Sequence, residues 1–194
     1  QNMVSGADWF DYGGWFSESH AEFMAYQFDP DGVGCSEVLV NAPHHHYGTT
    51  RNRYCNWQFW DYVTDTLGAA AVNALWSGNI NGPTFINPLD VDIPDSCSEL
   101  DGPFATFQRN LGWDIERLND LFGRWALANI EWSYGKGPLF RNEYGDYLGD
   151  LEAGKRGRVT RLEAHGEGSD RFYMPPDILA PQRWGYNVVQ LFPD

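Results

Sequence analysis

The chain has 194 residues, 42% of them apolar and 16% aromatic with nine Trp, the composition of a polypeptide that collapses around a core rather than staying disordered. Thirteen basic against twenty-seven acidic residues leave a formal charge of -14, which argues against nucleic acid and against anionic lipid as partners. No run of about eighteen apolar residues offers a membrane span.

Residues 15 to 28 carry Trp15, Phe16, Ser19, Phe23 and Met24 with small Ala21 and Ala25, and predict a helix buried on one side. Gly13 and Gly14 mark its entry, and "DPDG" at 29 to 32 is turn chemistry that ends it. Pro43, Gly48 and several Thr and Asn residues keep the next stretch irregular until helical spacing resumes at Trp57, Trp60, Tyr62 and Val63. Gly68 is a C-cap for that helix, and "AAAVNALW" predicts a short helix directly after it.

Residues 77 to 103 hold four Pro and three Gly and are expected to form a long irregular crossing loop. Two helices are expected between positions 103 and 134. Asp114 caps the one carrying Ile115, Leu118, Leu121 and Phe122, which runs on through Trp125, Ala126 and Ile130. Beyond "YGKGP" the runs "GRVTRLEA", "DRFYMP" and "GYNVVQLF" are short, β-branched or aromatic, and separated by Gly, Pro and Asp; they predict β structure.

Three cysteines, Cys35, Cys55 and Cys97, fit one disulfide plus a thiol, or three reduced thiols, and none forms a CxxC pair.

The opening helix carries the first chemistry. Glu18 and Glu22 are four residues apart and share a helix face, so the two carboxylates repel unless a cation or a proton intervenes; a solvated face is the plain alternative. The surrounding "GWFSESHAEFMA" resembles the second zinc helix of gluzincin metallopeptidases, where a glutamate completes a site begun by the two histidines of HExxH. Trp15, Glu18 and Ala21 fall on the matching positions, with Ser17 and Ser19 where Asn and Gly are usual. The resemblance makes Glu18 the third zinc ligand and Glu22 an acid that orients a ligating histidine, both accepted roles for a carboxylate near zinc. His20 lies on another face and is not read as a ligand.

The same resemblance extends along the chain. "SEVLVNAPHHHYGTTRNRYCNWQFWDY", "GWDIERLNDLFGRWALANIEW" and "APQRWGYNVVQL" are similar to the Svx/AvrXca-type family of secreted virulence and avirulence proteins. It implies an extracellular zinc-metallopeptidase-like protein, hydrolysing peptide bonds by zinc-activated water, with a protein or peptide, of host or cell-wall origin, as substrate. The sequence departs from the gluzincin pattern in having no HExxH; its histidines are His20, His44, His45, His46 and His165. Two further zinc ligands are therefore expected upstream of Gln1, in a longer polypeptide of which this chain is an inactive piece.

A second cluster, "PHHHYGTTRNRY", is a positive island in an acidic chain. His46, Tyr47, Arg51 and Tyr54 are candidate catalytic residues, as donors that position substrate or stabilise an oxyanion. The alternative is that Arg51 and Arg53 pair with surface acids. A metal site made by His44 to His46 alone is disfavoured, because consecutive side chains diverge in an extended loop. Turn chemistry and a solvated loop are the better readings of "DPDGVGCSE" and of the acidic run from Asp90 to Asp101 than calcium binding.

The expected fold is mainly α (α+β), with a gluzincin-like C-terminal helical lobe over residues 1–140 that carries the third-ligand helix. Residues 141–194 would begin a β-rich C-terminal domain. The competing function is a non-enzymatic secreted effector or a cell-wall or carbohydrate-binding module that kept the fold without the metal. Against sugar binding, Trp57, Trp60, Trp76, Trp125 and Trp132 sit at helical core spacing.

Overall fold

The computed structural model describes residues 14–29, 31–34, 39, 42–45, 47, 54–77, 108, 111–144, 160–182 and 185–189, with positions 14–17, 74, 76, 77 and 144 described as backbone only. The long loop expected after position 77 and its acidic run lie outside the described residues, as do Cys35 and Cys97. Five α-helices, one hairpin and two single 3-10 turns, Gly168–Asp170 and Asp177–Leu179, make up the regular structure described. Helices α1 (Gly14–Phe28), α2 (Trp57–Leu67), α3 (Ala69–Ser77), α4 (Ile115–Glu131) and α5 (Gly137–Tyr144) precede strands β1 (Glu163–His165) and β2 (Phe172–Met174). The architecture described is mainly α with a small antiparallel sheet, as expected.

Helix α2 is the centre. Trp57 to Val63 are all buried, so the helix meets protein on every side of its first two turns. A surface helix shows one apolar stripe; a helix buried all round belongs to the core. Helices α1 and α3 pack against it. Phe59 meets Phe122 and Trp125 of α4 with ring centres 5.2 Å and 5.4 Å apart, while Trp57 meets Phe140 of α5 at 5.3 Å. Aromatic pairs at such separations add to the burial of their area.

Local signals in the sequence place several helix ends. Gly68 closes α2 with φ 87°, a conformation that costs glycine little, and its N–H donates to the Thr64 carbonyl. Asp114 opens α4: its Oδ1 accepts from the Arg117 N–H at 2.8 Å. Asp114→Ala is expected to lower stability by about 1 kcal/mol; an unchanged urea midpoint would show the cap to be idle. At the other end Trp132 takes a left-handed φ of 51°, rare for a bulky residue. Its ring is buried and stacked on Phe140 at 4.8 Å and 19°, a contact that holds the backbone there.

Two elements differ from expectation. Residues 137–144 form a helix where β character was expected to begin, so the 140/141 boundary falls within α5. "GKGP" reads as a break, but Pro138 stands in the first helical turn, where the missing N–H has no partner to lose. The strand expected from "GYNVVQLF" is irregular over 185–189. Its backbone bonds go to separate places: the Tyr186 N–H donates to the Pro43 carbonyl, and the Val188 carbonyl accepts from the Thr160 N–H. β1 and β2 do pair, antiparallel, with Glu163 opposite Met174, Ala164 opposite Tyr173 and His165 opposite Phe172.

Candidate functional site

On α1 the buried positions are Ser19, His20 and Phe23, with Tyr26 packed at the edge of the core. Met24, expected on the buried side, is 40% exposed. This face makes a buried tertiary contact: the Trp60 Nε1–H donates to Ser19 Oγ at 2.9 Å. A hydroxyl accepting from an indole can be buried where a Met is left outside. Glu18 and Glu22 flank this stripe together and are both half-buried. The helix thus holds the two carboxylates one turn apart at the edge of the packed face.

His20 lies on the other flank of the stripe, 5.8 Å from the Phe23 ring. Burial lowers its pKa from 6.5 to about 4, so the imidazole is neutral at physiological pH. Spacing alone placed it off the glutamate face, and the structure agrees; its burial was not anticipated.

The far end of α1 is pinned by Lys136. Its Nζ donates to the carbonyls of Asp29 and of Gly32, the latter at 3.0 Å, and lies 5.4 Å from the centre of the Tyr26 ring. Its backbone N–H donates to Oδ2 of buried Asp61 on α2 at 3.0 Å. Burial raises the Asp61 pKa, against the lowering pull of that N–H and of the Lys136 charge. Asp61 was not singled out from the sequence, although an acid inside the aromatic "WQFWDYV" is itself a signal that a partner must exist.

The second cluster divides. His46 and Arg51 lie outside the described residues. Tyr47 is buried among Phe59, Phe122 and Trp125, with ring centres 5.7, 5.2 and 5.5 Å away. Its hydroxyl donates to the Asn56 carbonyl while Asn56 Nδ2 donates back to the Tyr47 carbonyl. Burial holds the Tyr47 hydroxyl protonated far into alkaline pH. Its proton is committed to the backbone, so any oxyanion role for Tyr47 requires this pair to open. Tyr54 is 38% exposed, one residue before Cys55, which is buried and disulfide-bonded. The disulfide decides between the two cysteine readings; its second half lies outside the described residues.

The C-terminal part reaches the histidine loop. The Gln182 N–H donates to the His44 carbonyl at 2.8 Å, and Gly185 passes so close that a Cβ there would lie 2.3 Å from that oxygen. Tyr186 continues inward: its hydroxyl accepts from Asn129 Nδ2 at 3.0 Å, and Asn129 Oδ1 accepts from buried Tyr134 at 2.6 Å. Nothing in local sequence signals a contact between segments some 140 positions apart.

Among the described residues no three His, Cys, Asp or Glu side chains come together as a metal-holding group. Among the same residues no helix is long and apolar enough to cross a membrane. These features define an α-rich, aromatic-cored chain with paired carboxylates on its first described helix and a strapped histidine loop. The chain belongs to DUF6055, a family of unknown function, which it matches over residues 2–194. No curated protein and no solved structure matches it.

Proposed function

We propose that this chain is the glutamate-bearing part of a secreted, zinc-metallopeptidase-like protein related to the gluzincins and to the Svx/AvrXca type, acting on protein or peptide substrates. The observation that carries the reading is the half-buried pair Glu18 and Glu22 on a helix locked to the core through Ser19 and Trp60. A carboxylate held in this way suits a zinc ligand, and a second acid one turn on suits the orientation of a ligating imidazole. Glu18 is the ligand and Glu22 its neighbour in this scheme, with the two imidazoles supplied from outside this sequence. Zinc, when bound, supplies Lewis-acid activation for hydrolysis. His46, Arg51 and Tyr54 remain the candidates for positioning substrate. The Cys55 disulfide supports an oxidising, extracellular setting.

A second reading rests on the hairpin. Phe172, Tyr173 and Met174 are 52%, 58% and 47% exposed, and Ile178 is 85% exposed. Such side chains suit a binding module better than a catalytic lobe. Zinc titration of the longest natural polypeptide containing this sequence separates the two. The peptidase reading expects a tightly held zinc that depends on Glu18, lost in Glu18→Ala and weakened ~10- to 100-fold in Glu22→Gln. Zinc binding that is the same with and without Glu18, with Glu18→Ala changing stability alone, would transfer the proposal to the binding module.

A further inference from the structure

His44 and His45 occupy a turn, not an extended strand, and their rings do not diverge. The ring centres are 4.4 Å apart and tilted by 45°. Metal–nitrogen bonds of ~2.0–2.1 Å bring two imidazoles on one ion to roughly this separation. The expectation that consecutive histidines here point apart is therefore overturned for this pair.

The backbone beneath the rings is held from both directions. The His45 N–H donates to the Ala42 carbonyl at 3.1 Å, and the carbonyls of Pro43 and His44 accept from Tyr186 and Gln182 at 2.9 Å and 2.8 Å. Tyr186 is anchored in turn to Asn129 of α4. Little chain ordering remains to be done when a ligand arrives, which favours binding. His45 is exposed and His44 half-buried, so solvent reaches the pair.

The geometry points to His44 and His45 as a two-imidazole site for a divalent transition-metal cation of the Ni2+, Cu2+ or Zn2+ type. It is separate from Glu18 and does not rest on the peptidase reading. Imidazole selects these ions over Mg2+ and Ca2+, which take oxygen ligands. The C-terminal strap around Gly185 and Tyr186 holds the backbone that carries the pair.

The test is calorimetric titration of the full chain with Ni2+, beside thermal unfolding with and without Ni2+. One site per chain is expected, weakened at least about tenfold in His44→Gln and in His45→Gln, and unchanged in Glu18→Ala. Ni2+ should raise the unfolding temperature of the natural chain and not that of His45→Gln, since only a site formed in the folded state stabilises it. His45 is exposed, so its replacement leaves the fold intact. Equal affinity in either histidine variant, or a lowered unfolding temperature with Ni2+, would overturn the proposal.

Discussion

Trp60→Ala is expected to lower the stability of the chain by about 3–5 kcal/mol. The indole is fully buried, packs on Phe59 with ring centres 5.1 Å apart, and donates to Ser19 across a sequence gap of 41 residues. Its removal leaves a cavity at the junction of α1 and α2 and deletes a hydrogen bond to α1. Trp60→Phe separates the two contributions: most of the volume stays and only the donor goes, for a loss of about 1 kcal/mol from the hydrogen bond plus a smaller packing term. Urea unfolding of both variants provides the comparison. A loss under about 1 kcal/mol in Trp60→Ala would mean that α1 is not anchored through this residue. The glutamate pair would then lack the rigid base on which the proposed zinc role depends.

The second large effect is a dependence on pH through His20. Its folded pKa of about 4 lies below the 6.5 of an exposed imidazole, because burial disfavours the charged ring. A depressed pKa means that the stability linked to the neutral form is fully present above pH 6.5 and is lost as pH falls from 6.5 towards 4. That gap corresponds to roughly 3 kcal/mol between the two limits. Asp61 works in the opposite sense. Its raised pKa makes its contribution fully present below the ordinary carboxylate range and lost as pH rises through the folded value. The natural chain therefore reports both groups together, and the difference between it and His20→Leu isolates the imidazole. Equilibrium unfolding from pH 7.5 to 4 is expected to show the two proteins diverging in slope below about pH 6.5. Parallel curves would show that His20 is not held neutral in the fold.

The signals that could be read directly were local ones. Asp114 and Gly68 act within one helical turn, through a side chain reaching its own helix N-terminus and a backbone that needs positive φ. Neither depends on what packs nearby, so the residues themselves carry the information. The shared face of Glu18 and Glu22 follows in the same way from the 3.6-residue period. The β character of "RLEA" and "FYM" was legible, although their pairing and its register were not.

Which face of α1 turns inward was decided elsewhere. Apolar spacing favours Met24 over His20, yet His20 is buried and Met24 exposed; the face turned inward carries Ser19, which accepts from Trp60, and Tyr26, which packs on Trp57. The helix at 137–144 depended on Pro138 opening a turn rather than breaking one, and Phe140 packing on Trp132 and Trp57 holds it. Asp61 and Lys136 are 75 positions apart, and their bond exists only once α2 and the turn before α5 are packed together.

The sequence by itself determined the helical character, the caps, the aromatic core and the placement of two carboxylates on one face, since each follows from composition or from neighbours within a turn. Only the tertiary structure decided that Tyr47 is a core hydroxyl bonded to Asn56, that His20 is buried, and that Gln182 and Tyr186 bind the backbone at His44 and Pro43, where the His44 and His45 rings lie side by side. The physical reason is range. Backbone torsions and caps act over a few residues, whereas burial and hydrogen-bond partners are supplied by segments that chain folding brings together from a hundred positions away.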